Sequence, residues 1–135
     1  MYFVDANVFL RFLTGDDADK ARACYDLFRR ADRGEAALYT TETIIAEIVY
    51  VLSSPRLYNL PREEIRKRLM PLLTLNGLRM PNRGVVLRAL ELYEEQPVDF
   101  EDALAVAHME QQGIEAIISY DRDFDRFPQV TRIEP

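Results

Sequence analysis

Short apolar runs alternate with longer helical patterns along this chain of 135 residues, and this alternation is the strongest constraint on its fold. The runs at residues 1–4, 36–40, 78–80, 115–119 and 129–133 predict strands. The segments between them predict helices that begin at Asp16 or Asp17, Thr41, Pro61, Asn82 and Asp99 and end near residues 33, 53, 75, 95 and 112. Such alternation favours an α/β fold, with a central parallel sheet of about four to five strands flanked by helices.

The composition is that of one ordinary globular domain over residues 1–135, with 48% hydrophobic and 30% charged residues. We expect no membrane segment, because no apolar run approaches the ~20 residues of a membrane-spanning helix. The single cysteine, Cys24, excludes an internal disulfide and suits a reducing cytoplasm. The net charge of −6 argues against nucleic-acid binding over the whole surface. This net charge is still compatible with a local groove lined by arginines, which suit phosphate partners.

Asp5 interrupts an apolar stretch that ends at Val4 and resumes at Val8. On this pattern residues 1–4 form a buried strand, and Asp5 stands at its carboxyl end, the edge at which parallel sheets collect functional groups. An aspartate is almost never fully buried without a partner, because desolvating an unpaired carboxylate is costly. Asp5 is therefore predicted to have either a hydrogen-bonded structural role or a cation.

Glu47 shares helical spacing with Ile44, Ile48 and Val51, which places it on the predicted apolar stripe of its helix. A surface glutamate does not usually occupy that face, so Glu47 is a second candidate ligand. The structural alternative is a residue at the helix edge that reaches solvent or pairs with an arginine.

Asp102 and Asp121 complete the set of candidate acids. Asp102 falls in the first turn of a helix that Asp99 can cap, where a negative charge also favours the helix dipole. Asp121 follows an apolar strand, and its structural alternative is a turn residue that caps a short helix at residues 122–127. The later acids Asp123 and Asp125 are interpreted as solvated side chains.

The four acids are more informative together than alone. Two strand-end acids and two inward-facing helix acids would meet above one edge of the sheet. Such a group of carboxylates needs a compensating cation, or some of the pKa values must rise. Oxygen ligands select Mg²⁺ or Mn²⁺, and a metal held this way supports hydrolysis of a phosphodiester.

Four motifs carry a resemblance to the PIN-domain family, and within it to the VapC-type toxin ribonucleases. They are VDAN at residues 4–7, TIIAE at 43–47, DFEDALA at 99–105 and SYDRDF at 119–124, and their order and spacing match the family's. The resemblance implies a single Rossmann-like domain with an acidic site for Mg²⁺, for which Mn²⁺ can substitute. By motif position it implies that Asp5, Glu47, Asp102 and Asp121 are the catalytic and metal-binding residues, with Asn7 and Ser119 in support.

The resemblance also implies an activity and partners. The expected function is an endoribonuclease of the cytoplasm, the toxin of a type II toxin–antitoxin pair, which forms a homodimer and is silenced by a cognate antitoxin. Arg11 and Arg122 are expected to contact the phosphates of the RNA substrate. Two alternatives stay open: a housekeeping RNA-processing nuclease, and a non-catalytic PIN scaffold that serves as a binding module.

Overall fold

The computed structural model describes residues 1–135, and the chain divides into two compact units, Met1–Arg83 and Gly84–Pro135. The first unit contains β1 (Tyr2–Phe3), α1 (Ala6–Thr14), α2 (Ala18–Asp32), β2 (Leu38–Tyr39), α3 (Glu42–Ser53), α4 (Arg62–Leu73) and β3 (Leu78–Arg79). Helix α5 (Arg83–Glu95) begins at the boundary and is followed by α6 (Phe100–Gln112), β4 (Ala116–Ile118), a 3₁₀ helix (Arg122–Arg126) and β5 (Thr131–Ile133). None of the helices is long and apolar enough to cross a membrane.

The sheet of the first unit has three parallel strands in the order β1-β2-β3. The central strand pairs Leu38 with Tyr2 on one side and with Leu78 on the other. Parallel neighbours need long crossover connections, and here each crossover consists of two helices, α1–α2 and then α3–α4. All three strands therefore end at the same edge of the sheet.

The second unit contains a parallel pair, β4 and β5, in which Ile118 lies opposite Ile133. Its crossover is short and carries the 3₁₀ helix. The predicted α/β class with parallel strands is confirmed, but the larger sheet has three strands where about four to five were predicted. The sequence pattern did not indicate that the strands hydrogen-bond as separate groups of three and two. The prediction of a single domain over residues 1–135 stays a prediction.

Apolar helix faces form the core of the first unit. Helix α3 buries Ile45, Ile48, Val49 and Leu52. Helix α4 buries Ile65, Leu69, Leu72 and Leu73. Both sets follow the three- and four-residue spacing of an amphipathic helix.

Helix α4 ends two residues earlier than predicted and contains Pro71 in its last turn. In the second unit, α5 and α6 bury a similar set, and the rings of Tyr93 and Phe100 pack edge to face with centroids 6.0 Å apart.

Helix α1 is an element that the sequence analysis did not predict. The segment between Asp5 and Asp16 was assigned to no helix or strand, yet Ala6, Phe9 and Leu13 recur at helical spacing and are buried. The helix ends at Gly15, whose φ of 68° is the left-handed conformation that favours glycine. The expected burial of residues 1–4 is also wrong for Tyr2 and Phe3, which are 74% and 58% exposed.

Gly77 allows the closest backbone approach in the first unit. A Cβ atom at this position would lie 2.4 Å from the carbonyl oxygens of Ala31 and Ala36, far inside van der Waals contact. The carbonyl of Gly77 also accepts a hydrogen bond of 2.8 Å from the N–H of Leu38. The end of α2, the chain that enters β2 and the chain that enters β3 therefore meet at a point with no room for a side chain.

We expect the substitution Gly77→Ala to lower the free energy of unfolding by about 3 kcal/mol, because the new methyl group forces backbone atoms apart. Denaturant unfolding followed by circular dichroism measures this change. The matched control is Gly84→Ala in α5, where an added Cβ meets nothing within 4 Å. The control should be neutral or more stable by roughly 0.5–1 kcal/mol, as expected for alanine in a helix. Equal effects of the two substitutions would contradict the proposed contact.

Candidate metal centre

Three carboxylates converge in the second unit, one from α6, one from the N-cap of the 3₁₀ helix and one from the first turn of that helix. One carboxylate oxygen from each of Asp102, Asp121 and Asp123 lies within 4.8 Å of the other two. Asp121 is exposed, whereas Asp102 and Asp123 are half-buried. We call this group the acidic cluster. It brings together two of the acids predicted from the sequence and adds a third.

The first turn of α6 positions Asp102. The backbone N–H groups of Asp102 and Ala103 both donate to the carbonyl of Asp99, each at 3.1 Å. Ala103 is fully buried, so Asp102 lies at the border of the buried helix face. Asp99 occupies the predicted N-cap position, but its side chain makes no capping hydrogen bond. The carboxylate of Asp102 is therefore held in the first turn of α6 by backbone hydrogen bonds to Asp99.

The turn after β4 positions the other two acids. The Oγ of Ser119 accepts a hydrogen bond of 3.0 Å from the N–H of Asp121. The carboxylate of Asp121 in turn accepts one of 2.9 Å from the N–H of Asp123 and so caps the 3₁₀ helix. From β5, Arg132 donates to the carbonyl of Ser119 at 3.1 Å, which ties this turn to the neighbouring strand. The capping alternative for Asp121 is thus realised, and it leaves the second carboxylate oxygen of Asp121 available to a ligand.

The electrostatics of the acidic cluster are unfavourable without a cation. The pKa of Asp102 is raised to about 6, first by burial and then by the negative charge of Asp121. Smaller contributions in the same direction come from Asp99, Asp123 and Glu101. Arg126 contacts Asp123 at 3.4 Å, but both side chains are exposed enough for water to weaken that pair.

A hard divalent cation fits this donor set. Its positive charge would attract Asp102, Asp121 and Asp123 and so offset the repulsion among them. Carboxylate oxygens are also the ligands that Mg²⁺ and Mn²⁺ prefer. The separation of the oxygens allows one ion to reach all three. The chemistry of the residues is therefore consistent with the predicted metal.

Asp5 lies in the first unit and differs from its prediction in burial. Its side chain is exposed and accepts a hydrogen bond of 3.4 Å from the N–H of Val8, which makes it the N-cap of α1. The expectation that Asp5 is a buried carboxylate is wrong, because the chain turns from strand to helix at this residue. The expectation of a hydrogen-bonded structural role is met. A cap uses one carboxylate oxygen, so the position at the end of β1 still permits a ligand role.

Glu47 also lies in the first unit, on the exposed face of α3. The stripe predicted through Ile44 and Val51 is wrong by one position, because the fully buried residues are Ile45 and Ile48 and their helical repeats. Tyr50, three residues further on, is 69% exposed on the same side. The grouping of Glu47 and Asp5 with Asp102 and Asp121 in one site stays a prediction.

Two supporting residues were missed by the sequence analysis. Asp123 was dismissed as a solvated acid, although its spacing of two from Asp121 in a tight turn was the available signal. Thr40 is fully buried, and its hydroxyl donates to the carbonyl of Val4 at 3.1 Å. That hydrogen bond fixes the end of β1 just before Asp5. Nothing in the sequence around Thr40 predicted this hydrogen bond, because a threonine is common at the end of a strand.

The remaining predicted residues lie on the surface. Arg122 and Asn7 are exposed and Arg11 is half-buried. Asn7 and Arg11 line a cleft between α1 and α2. A larger groove in the first unit, of about 430 Å³, is mainly apolar and contains a single acid, Asp32, so it is not a metal centre.

The family model of the PIN domain matches residues 2–130. Among solved structures, the chain is similar to the crystal structure of VapC20 from Mycobacterium tuberculosis, described as a toxin that cleaves the sarcin-ricin loop. The sequences are 18% identical, the match covers 96% of this chain and 98% of that chain, and the TM-score is 0.40. The comparison with curated proteins found no match.

We expect Asp102→Asn to stabilise the metal-free protein at pH 7 by about 1–2 kcal/mol, because it removes a half-buried charge from a group of acids. The folded-state pKa of about 6 lies above the ordinary 3.8, so the stability that Asp102 contributes is complete below pH 3.8 and is lost as the pH rises through 6. The advantage of the variant should therefore shrink as the pH falls from 7 to 4. Thermal unfolding in EDTA across this range measures it. A difference that does not depend on pH would contradict the assignment.

We expect Asp123→Asn to weaken the binding of Mn²⁺ roughly tenfold, because it removes one charged oxygen ligand. Isothermal titration calorimetry of the purified chain measures the affinity. The matched control is Asp125→Asn, which makes the same change in the same 3₁₀ helix at a residue that pairs with Arg132 instead. Equal affinities of the two variants would exclude Asp123 as a ligand.

Proposed function

The chain belongs to the PIN-domain family, and on that premise we propose that it is a metal-dependent endoribonuclease that hydrolyses RNA phosphodiester bonds. The observation that carries the proposal is the convergence of Asp102, Asp121 and Asp123 within 4.8 Å. Carboxylates held this close favour a divalent cation, and the family motifs at both ends of the chain are intact.

The proposed roles follow from the chemistry of each residue. Asp102, Asp121 and Asp123 would hold Mg²⁺, or Mn²⁺ as a substitute. Asp5 and Glu47 would complete the site, as their motif positions imply. Such a cation, when bound, supplies neutralisation of the charge that builds on a phosphate during in-line attack by water.

The protein side chains have positioning roles in this reaction. Ser119 fixes the backbone that carries Asp121, and Thr40 fixes the end of the strand that carries Asp5. The carboxylates would orient the attacking water by accepting hydrogen bonds from it. Exposed arginines such as Arg122 would contact the phosphates that flank the scissile bond.

We further propose that this nuclease is the toxin of a type II toxin–antitoxin pair, with a cognate antitoxin as its protein partner and a homodimer as its assembly. The order of the four motifs supports this role, since it resembles that of VapC-type toxins. A short reading frame directly upstream, whose product binds the chain and suppresses cleavage, would separate this role from housekeeping RNA processing.

We expect the purified chain to cleave total RNA in the presence of Mn²⁺ or Mg²⁺ and to be inactive in EDTA. We expect Asp5→Asn to lower the cleavage rate at least ~100-fold, because asparagine removes the charge at the proposed site. Asparagine is as good an N-cap as aspartate, so α1 should stay intact. Gel analysis of the RNA over time measures the rate.

The matched control for this experiment is Asp17→Asn. Asp17 caps α2 by accepting the N–H of Lys20 at 3.1 Å, so the same substitution is made at a helix cap outside the proposed site. The control should cleave at the wild-type rate. Cleavage that persists in EDTA or in Asp5→Asn would overturn the mechanism. A chain that binds RNA without cleaving it under any metal would favour the binding-module alternative.

A further inference from the structure

A cleft of about 320 Å³ lies between α1 and α2 in the first unit. Two turns of α1 contribute Asn7, Val8 and Arg11, and the facing turn of α2 contributes Lys20, Ala23 and Cys24. Asn7 and Arg11 are four residues apart on one helix, as are Lys20 and Cys24 on the other, so each pair projects from a single helix face. The polar groups of the two helices therefore line one cleft together with the apolar residues Val8 and Ala23.

The charge of this cleft is opposite to that of the chain. Its two ionised side chains, Arg11 and Lys20, are both cations, and no carboxylate lines it, whereas the chain as a whole carries a net charge of −6. The positive charge of Arg11 reaches across the cleft, where it opposes the rise that burial causes in the pKa of Cys24. Two like charges placed side by side are unfavourable without an anion between them.

Arg11 and Lys20 are also uncommitted within the chain. Neither side chain makes an ion pair or a hydrogen bond, whereas Arg68, Arg88 and Arg132 are all paired with carboxylates. Asp17 is occupied by the N-terminus of α2, which it caps. Asp19, next to Lys20 in the first turn of α2, is exposed and does not line the cleft. The cationic groups of the cleft are thus available to an external anion.

The cleft continues from the residue that the proposed function places in the active site. Asn7 follows Asp5 by two positions in the first turn of α1, and Arg11 lies one further turn along the helix. Arg11 lies six positions after Asp5, a distance of about 9 Å at the rise of an α-helix. An RNA strand with its scissile phosphate near Asp5 would cover that distance within a few nucleotides.

We propose that this cleft is a phosphate-binding subsite for the RNA strand beside the scissile bond. The inference rests on the proposed function. Arg11 and Lys20 bind the non-bridging oxygens of a phosphate on that strand, and the amide of Asn7 donates to the same nucleotide. The subsite acts in substrate binding and takes no part in the chemical step.

The test measures binding without cleavage. Fluorescence anisotropy with a labelled single-stranded RNA of mixed sequence, in EDTA and at several salt concentrations, compares the wild type with Arg11→Gln, Lys20→Gln and the double variant. We expect each single substitution to weaken binding about five- to tenfold at low salt and to reduce the slope of log Kd against log salt by about 0.7, the value for one phosphate contact on a single strand.

The matched control is Arg22→Gln, which removes the same charge from an exposed position of α2 that does not line the cleft. Its affinity should stay within about twofold of the wild type, because a diffuse contribution of one surface charge is small. Cys24, the only cysteine, provides a second readout. Bound RNA should slow its modification by a thiol reagent in the wild type and do so less in the double variant.

The outcomes distinguish the subsite from the proposed function. The subsite would be overturned if the cleft variants bound RNA as tightly as the wild type. It would also be overturned if Arg22→Gln lost as much RNA affinity as the cleft variants did. Neither result would contradict RNA cleavage by the wild type. Absence of both cleavage and RNA binding in the wild type would overturn the proposed function and the subsite together. Circular dichroism melts of every variant confirm that the fold is retained.

Discussion

Parallel pairing of very short strands is the constraint on which both units depend. Each strand has only two or three residues, so the strand ladders contribute few hydrogen bonds. Parallel neighbours also require crossovers, and in the first unit these are pairs of helices that bury the apolar core. The strand ends are therefore held by helix packing and by single contacts such as the Thr40 hydroxyl on the Val4 carbonyl. The acids that follow those strands take their positions from helices more than from the sheet.

Much of the fold was predictable because its signals are local. Every predicted strand is present, and the predicted helices match apart from a few terminal residues, since helical spacing, caps and prolines act within a few positions. Helix α1 was missed because Val8, Phe9 and Leu10 fit a short strand as well as a helix turn. The cap at Asp5 and the left-handed conformation of Gly15 favour the helix over the strand, and both become evident only from the backbone conformation.

The candidate site was predictable in composition and less so in geometry. The family motifs indicated Asp102 and Asp121, and the structure brings these two together. Burial could not be predicted from hydropathy alone, as Glu47 shows: a shift of one residue in the buried stripe moves it from the core face to solvent. Asp123 depends on the path of a tight turn, which spacing suggests but does not determine. The repulsion among these acids is a tertiary property and has no local signal.

The helix cap at Asp5 affects which single-base mutations at this position keep α1 folded. Aspartate codons become asparagine codons by one base change, and they become alanine or valine codons as easily. Of these residues only asparagine keeps the cap, because its side-chain oxygen still accepts the backbone N–H at the start of α1. Alanine or valine at position 5 would leave the first turn of α1 without its side-chain acceptor. Asparagine would remove the charge that the proposed function needs and leave the helix intact.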